Sequence, residues 1–343
     1  MEIIRKRAYA RAGLVGNPSD GYHGQTISIL VRNFYAEVVL YEWERIELLL
    51  NRDDQSRFGS LQELVQDVKH HGYYDGIRLI KATIKRFCEF CGKRKAEGLR
   101  GFTLHDRTFS LRYTTNIPRQ VGLAGSSAIV VATLRALMEF YNIRIPDEVL
   151  PSLALSVETV DLKIPGGLQD RVIQVYGGLV AMDFAEPMRK QFDYDYGKYE
   201  RLDSALLPPL YLAFGAERGL PTESLHGPLR DRFDQQDPEV LSAMLTFARY
   251  AVEARQAILD QDAVRLAGLI DANFNLRDQV CDVSPSHRDM VHAARSVGAT
   301  AKFAGSGGAI IGTYQDESMY ARLEDALQKI GCKVVHPIIG AAE

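Results

Sequence analysis

The sequence of 343 residues lacks several features that would place a protein in a membrane or on a nucleic acid. No apolar run approaches the roughly 20 residues that a helix needs to cross a bilayer. The formal net charge is only −3, so no strong polyanion partner is implied. Residues 1–7 lack the charged and then apolar layout of a signal peptide. We therefore expect a cytoplasmic protein that binds neither membranes nor nucleic acid.

Cysteine is scarce, and its positions argue against a metal site. Two of the four cysteines, Cys88 and Cys91, form a CxxC pair inside a segment with a helical pattern. A structural zinc site would need a second pair or histidines at ligand spacing, and the sequence offers neither. We interpret the pair as reduced thiols on one helical face. Zinc bound to the purified protein would contradict this interpretation.

The composition, with 46% hydrophobic and 25% charged residues, is ordinary for a globular protein. The length predicts two domains, residues 1–204 and 205–343, joined by a polar connection over 187–204. The order of the predicted elements is typical of an α+β fold. Strands are predicted at 3–15, 25–31, 34–40, 45–50, 107–115, 179–182, 210–214, 300–304 and 333–339. Helices are predicted at 61–71, 75–92, 126–141, 147–162, 237–260, 262–280, 285–297 and 317–330, with a basic loop over 92–101.

The stretch 116–128 is the strongest local signal in the chain. Small residues run directly into an apolar helical segment, so backbone N–H groups at the helix N-terminus can approach an anion. The two serines stand where a hydroxyl could cap the helix or contact a metal. The stretch predicts a site for the phosphates of a nucleoside triphosphate. Its candidate ATP-binding residues are Pro118, Gly122, Leu123, Ala124, Gly125, Ser126, Ser127 and Ala128.

A second candidate is the polar, glycine-containing segment 11–24, between two apolar strands. Its length and its side chains favour a binding loop, and a plain hairpin connection is the equally weighted alternative. The candidate substrate-binding residues are Arg11, Asn17, Asp20 and Tyr22.

A third signal is the glycine-rich turn 163–171, which leads into a helix that begins near Asp170. Together with Glu158, twelve residues earlier, Asp170 could form a pair in which one carboxylate is a base and the other a magnesium ligand. Two ordinary surface carboxylates are the alternative. Glycines also cluster at 305–308, either as a tight hairpin turn or as a second wall of the phosphate site.

Taken in order, these motifs resemble those of the GHMP small-molecule kinases. Residues 11–20 resemble the first family motif, and residues 118–128 the second, with one small residue more than its commonest form. Residues 305–309 resemble the third. The resemblance implies an N-terminal domain like ribosomal protein S5 domain 2, a ferredoxin-like C-terminal domain, and an active site in the cleft between them.

The resemblance also implies roles for single residues. Ser127 and Glu158 match the positions that hold Mg²⁺, and Asp170 matches the acidic residue that takes the proton from the attacking hydroxyl. Arg11 matches an arginine near the acceptor, and Asp20 a carboxylate that binds sugar hydroxyls. Further expected contacts are Gly305, Ser306 and Gly307 to ATP, and Asn17, Tyr22, Asp170 and Arg171 to the substrate.

Within the family, the glucuronokinase branch is the most similar, over nearly the whole chain. It implies ATP-dependent phosphorylation of the anomeric hydroxyl of D-glucuronate, by a monomer or homodimer. Arg119, Arg171 and Lys302 all remain open as the partner of the sugar carboxylate. The alternatives are a GHMP kinase for another sugar, such as a galactose-like hexose or a heptose phosphate, and a catalytically silent sugar sensor on the same fold.

Overall fold

The computed structural model describes residues 3–49, 76–186, 188–215 and 223–342. The helix predicted at 61–71 lies outside these ranges. The strands are β1 Ile3–Val15, β2 Gln25–Glu42, β3 Glu47–Leu49, β4 Phe109–Thr115, β5 Leu179–Asp183, β6 Arg189–Gln191, β7 Tyr194–Tyr196, β8 Lys198–Leu202, β9 Leu210–Gly215, β10 Lys302–Phe303, β11 Ala309–Thr313 and β12 Cys332–Val335. The helices are α1 Gly76–Ala96, α2 Gly125–Phe140, α3 Leu150–Ser156, α4 Gln169–Tyr176, α5 Glu223–Asp234, α6 Pro238–Leu259, α7 Ala263–Val280, α8 Pro285–Ser296 and α9 Glu317–Gln328.

The long strand β2 organises the first sheet, whose strand order is β3-β4-β2-β5-β8. One edge of β2 pairs antiparallel with β1, from Ile3 opposite Tyr41 to Val15 opposite Ile27. On the opposite edge, β4 pairs with the C-terminal part of β2 and β5 with its N-terminal part. The sequence predicted two strands over this length. The structure instead has one continuous strand, because the polar residues between them are accommodated by a register shift opposite Tyr9 and Ala10.

Helix α2 packs its apolar side on β1 and β2 and forms the centre of the main core. Val130, Val131 and Leu134 are fully buried there. Burial of such side chains contributes on the order of 1.5–3 kcal/mol each to folding. The same core also includes residues of α6 and β9, so apolar packing continues from the first sheet to the second.

The second sheet has the order β10-β11-β9-β12 and is antiparallel throughout. The helices near it begin with side-chain caps: Asp237 caps α6, Asp262 caps α7 and Ser284 caps α8. These caps satisfy backbone N–H groups that the first turn leaves unpaired. The predicted helices at 237–260, 262–280 and 285–297 are confirmed, and so is the α+β class.

Two connections were predicted wrongly. The segment 187–204 contains β6, β7 and β8, and β8 extends the first sheet by pairing with β5. The segment 92–101 begins inside α1, which continues to Ala96, and its Arg94 is buried and bonded to Asp193. In both segments polar residues lie on a solvent-exposed face or form ion pairs within regular structure, so their composition does not indicate a loop.

The chain end returns to the first sheet after β12. Ile339 bridges to Val31, and Gly178 N donates a hydrogen bond to Gly340 O. The boundary predicted between residues 204 and 205 separates the two sheets, but these contacts of Ile339 and Gly340 cross it. The boundary stays a prediction. Among the helices of the described ranges, none has the length and apolar composition that a bilayer span requires.

Candidate active site

Three loops that are distant in sequence lie close together beside the first sheet. They are the N-terminal loop (residues 16–24), the phosphate loop (116–124) and the glycine turn (304–308). Gly13 N, on β1 just before the N-terminal loop, donates to Ala304 O at 2.7 Å. A methyl group on Gly305 would lie 2.1 Å from Gly122 O, a distance at which backbone atoms collide. The glycine turn and the phosphate loop therefore pack backbone to backbone, and only glycine fits at residue 305.

Arg11, on β1, joins the three predicted motifs. Its Nη1 donates to Gly122 O at 3.0 Å and to Ala304 O at 2.6 Å. Its Nε and Nη2 both donate to Asp170 Oδ1, at 2.8 and 2.5 Å. These contacts use four of the five N–H groups of a guanidinium. Arg11 is buried, so in this structure it holds the loops together and orients the Asp170 carboxylate.

Asp170 lies in the first turn of α4 and stays partly accessible, with 20% of its side chain exposed. Its second oxygen, Oδ2, is 3.6 Å from Arg171 Nη1. Arg171 is buried; its Nη1 donates to Gly167 O, and its Nη2 contacts Glu158. Two carboxylates and two arginines thus form a connected cluster. The structure brings Arg11, Asp170, Arg171 and Glu158 together.

The phosphate loop ends at Ala124, whose φ of 63° lies in the left-handed region. No side chain of the described residues caps the helix that follows, in contrast to α6, α7 and α8. Gln174 Nε2 fixes the loop by donating to Ala124 O at 2.9 Å, and Ser127 Oγ donates to the same oxygen at 3.1 Å. An uncapped helix N-terminus beside a fixed glycine-rich loop is suited to an anion.

The N-terminal loop contributes a carboxylate in an unusual environment. Asp20 lies against Gly167, where an added methyl group would meet its Oδ2 at 2.1 Å. Burial, together with the nearby charge of Asp170, raises the pKa of Asp20 from 3.8 to about 7, while Arg11 acts in the opposite direction. At neutral pH this carboxyl group can both donate and accept hydrogen bonds.

Two other predicted substrate contacts of this loop are engaged within the protein. Asn17 is buried, and its Oδ1 accepts a hydrogen bond from Lys302 Nζ at 2.5 Å. The Tyr22 ring packs against Phe233 of α5, with 4.7 Å between the ring centroids. Both residues support the loop in this structure, and their contact with a sugar stays a prediction.

The sequence reasoning missed two residues of α7 that hold these loops. Asn273 is fully buried; its Oδ1 accepts from Gly16 N at 2.6 Å, and its Nδ2 donates to Asn17 O at 3.1 Å. Arg277 donates to Gly305 O and Ser306 O. A signal was present, because a fully polar side chain every four residues on the otherwise apolar face of a helix is unusual.

The residues predicted to hold Mg²⁺ fit that ion by the chemistry of their donor atoms. Ser127 offers a neutral hydroxyl oxygen, and Glu158 an anionic carboxylate; both are buried. Hard oxygen donors of this kind, in small number, are what Mg²⁺ takes from proteins when substrate phosphates supply the rest. Arg171 Nη2 donates a hydrogen bond to one oxygen of the Glu158 carboxylate, so a bound ion and this arginine would share that carboxylate.

Comparison with known proteins matches this site to a family. Residues 78–178 match the model of the GHMP kinases N terminal domain. Glucuronokinase 1 of Arabidopsis thaliana is 41% identical over 90% of this chain and 84% of its own length. The chain belongs to the GHMP kinase family. Probable glucuronokinase 2 of the same plant is also 41% identical, over 98% of this GHMP kinase and 91% of its own length.

Solved structures confirm the fold of this GHMP kinase. Lactococcus lactis galactokinase complexed with galactose superposes with a TM-score of 0.74, covering 99% of this chain and 94% of that one at 13% identity. Streptococcus pneumoniae phosphomevalonate kinase gives a TM-score of 0.72 at 15% identity, with 99% and 100% covered. At these identities the likeness concerns the fold alone.

Proposed function

We propose that this GHMP kinase transfers the γ-phosphoryl group of ATP to the anomeric hydroxyl of D-glucuronate, which gives D-glucuronate 1-phosphate and ADP. The observation that carries the proposal is the 41% identity to two proteins named glucuronokinases, over 90% and 98% of the chain. The arrangement around Asp170 supports a hydroxyl acceptor, because a partly accessible carboxylate stands beside the loop suited to phosphate.

On the acceptor side, Asp170 takes the proton of the anomeric hydroxyl. The hydroxyl oxygen then forms a bond to the γ-phosphorus, and the bond from that phosphorus to the bridging oxygen of ADP breaks. Arg11 contributes by fixing Asp170 Oδ1 with two hydrogen bonds, so that the carboxylate does not reorient during proton transfer. Asp20 lies against Gly167, which precedes Asp170 by three residues, and it binds sugar hydroxyls as donor or acceptor.

On the nucleotide side, the backbone N–H groups of the phosphate loop and of the first turn of α2 receive the phosphates. Gly305 and Gly308 let the glycine turn approach the phosphate loop from the other side. Ser127 and Glu158 would hold Mg²⁺, which when bound neutralises charge on the phosphate oxygens. The donors are in place before the reaction, because Gln174 and Arg11 fix the loop at Ala124 and Gly122.

The test is turnover of the purified full-length protein with ATP, Mg²⁺ and a panel of sugars. The panel contains D-glucuronate, D-galacturonate, glucose, galactose and a heptose phosphate. We expect ADP release with glucuronate, and a phosphorus resonance of an anomeric phosphate in the product. The Asp170→Asn variant serves as the control for contaminating kinases.

Two outcomes would overturn the proposal. Activity on galactose or a heptose phosphate without activity on glucuronate would assign the chain to another sugar. Binding of glucuronate without ADP release from any sugar would identify a sensor rather than an enzyme.

A further inference from the structure

Arg277 is a buried arginine beneath the glycine turn, near the C-terminal end of α7. Its Nη1 donates to Gly305 O at 2.8 Å, and its Nη2 to Ser306 O at 3.1 Å. The guanidinium carbon lies 5.2 Å from the ring centroid of Phe303. Only 6% of the residue is exposed. The guanidinium is thus held rigidly by neutral partners.

Unlike the other buried arginines of the site, Arg277 forms no ion pair with a carboxylate of the part of the chain that the structure describes. Arg11 pairs with Asp170, and Arg171 with Glu158. The Nε of Arg277 is buried and has no hydrogen-bond partner. Burial lowers the pKa of Arg277, and the nearby Arg11 charge acts in the same direction, while Cys281 and Asp20 partly oppose it. A buried charge that lacks a counterion is costly, which is understandable if a ligand supplies the counterion.

A small pocket borders this guanidinium. Arg277 lines it together with Pro18 of the N-terminal loop, Ser306 of the glycine turn and His287, and Cys281 and Asp282 complete its polar lining. The glycine turn also contacts Arg11 through Ala304, and Arg11 and Asp20 lie close enough to Arg277 for their charges to act on it. The pocket therefore lies between the segments that surround the proposed acceptor site.

Two other buried cations of the site, Lys302 and Arg171, are already paired with acceptors inside the protein. Lys302 Nζ donates to Gly13 O, Asn17 Oδ1 and Phe303 O, which uses all three hydrogens of an ammonium group. Arg171 is neutralised by Glu158 and faces Asp170. Arg277 differs from both, because it has an unused N–H group and also lacks an ion-pair partner among the described residues.

We propose that Arg277 binds the carboxylate of the sugar-acid substrate and so selects acids over neutral sugars. The inference rests on the proposed function, because it names the group that recognises the acid. Arginine suits this role, since its donors match a carboxylate and its charge persists when buried. It would act on specificity and binding, while Asp170 acts on the proton of the hydroxyl.

The experiment compares D-glucuronate with D-glucuronamide, in which a neutral carboxamide replaces the carboxylate, in the wild type and in Arg277→Gln. We expect kcat/KM for glucuronate to fall on the order of 10- to 100-fold in the variant, the cost of one charged hydrogen bond. The value for glucuronamide and the KM for ATP should change by less than about 3-fold, so the preference for the acid collapses.

The matched control is Arg288→Gln on α8, where the arginine pairs with Asp278 at the surface. It should keep the preference of the wild type. An equal loss with both substrates, together with a raised KM for ATP, would show that Arg277 only holds the glycine turn. An unchanged preference in Arg277→Gln would also overturn the inference.

Two further arms separate misfolding and a wrong substrate from a wrong inference. If Arg277→Gln does not fold, Arg277→Lys replaces it in the experiment. This variant keeps the positive charge and should still prefer the acid. Equal use of glucuronate and glucuronamide by the wild type and by Arg277→Lys would refute the role. If the wild type ignores glucuronate, the proposed function fails. The comparison of glucuronate with glucuronamide is then replaced by galacturonate with galactose and by mannuronate with mannose. A wild type that prefers the neutral sugars would refute the role of Arg277.

Discussion

Asp170 and Asp20 carry the same functional group in the same site, yet their surroundings differ. Asp170 is partly exposed, and Arg11 fixes one of its oxygens with two hydrogen bonds. Asp20 lies against Gly167, and burial raises its pKa to about 7. The difference shows how one site can contain an oriented carboxylate for proton transfer and a second carboxyl group that is close to half-protonated at neutral pH. Substitutions at Asp170, Arg11 and Asp20 each alter one side of this contrast.

Replacing Asp170 should have the largest effect. Asp170→Asn keeps the shape of the side chain but cannot take a proton, so we expect kcat to fall on the order of 10²- to 10⁴-fold. KM for ATP and for the sugar should change little, because Asp170 is proposed to act in the transition state. Steady-state kinetics measures both. Asp278→Asn, which alters a carboxylate on α7 that pairs with Arg288, is the control. Turnover of Asp170→Asn at the wild-type rate would exclude Asp170 as the base.

Replacing Arg11 should have a smaller effect, through the orientation of Asp170. Arg11→Lys keeps the positive charge, but a lysine ammonium group cannot reproduce the paired hydrogen bonds to Asp170 Oδ1 while also reaching Gly122 O and Ala304 O. We expect kcat to fall about 10- to 100-fold and the thermal midpoint to drop. Arg7→Lys, on the same strand with Glu37 as its partner, should leave kcat near that of the wild type. If Arg11→Lys has full activity, orientation by the guanidinium is not needed.

The mildest prediction concerns Asp20 and pH. The native pKa is raised to about 7 from 3.8, so between these values the folded state binds more protons than the unfolded state. The contribution of Asp20 to the free energy of unfolding therefore falls as pH rises through this window. Between pH 5 and pH 8 the wild type should lose about 1 to 3 kcal/mol relative to Asp20→Asn. Urea unfolding at both pH values measures the difference. Parallel behaviour of the two proteins would show that Asp20 is ionised throughout.

Much of the site could be predicted because its signals are local. The glycines and serines of 116–128 mark a phosphate loop by composition alone, and the short separation of Glu158 and Asp170 suggests a pair. The meeting of these motifs at Arg11 could be anticipated only from the family resemblance. Neither spacing nor composition shows that residues 11, 122, 170 and 304 converge, because their contacts depend on the packing of two sheets.

Other features could not be assigned a role from the sequence because their contacts are purely tertiary. Arg277 and Asn273 interrupt an otherwise apolar face of α7, which signals burial but does not identify what they contact. Asn273 is bonded to the N-terminal loop and Arg277 to the glycine turn, and the sequence shows neither pairing. Likewise, the polar residues of 198–202 resemble a linker, and they form a strand only because β5 offers a free edge to pair with.

The position of Arg11 also has a consequence for the synthesis of the protein. Its partner Ala304 O lies 293 residues further along the chain and therefore leaves the ribosome much later than the guanidinium. Closing such a long loop costs chain entropy that the later contacts must offset. The nascent chain can therefore build the first sheet early. It becomes a working catalyst only after the glycine turn has emerged and Ala304 has met Arg11, so catalytic activity reports that this long-range contact has formed.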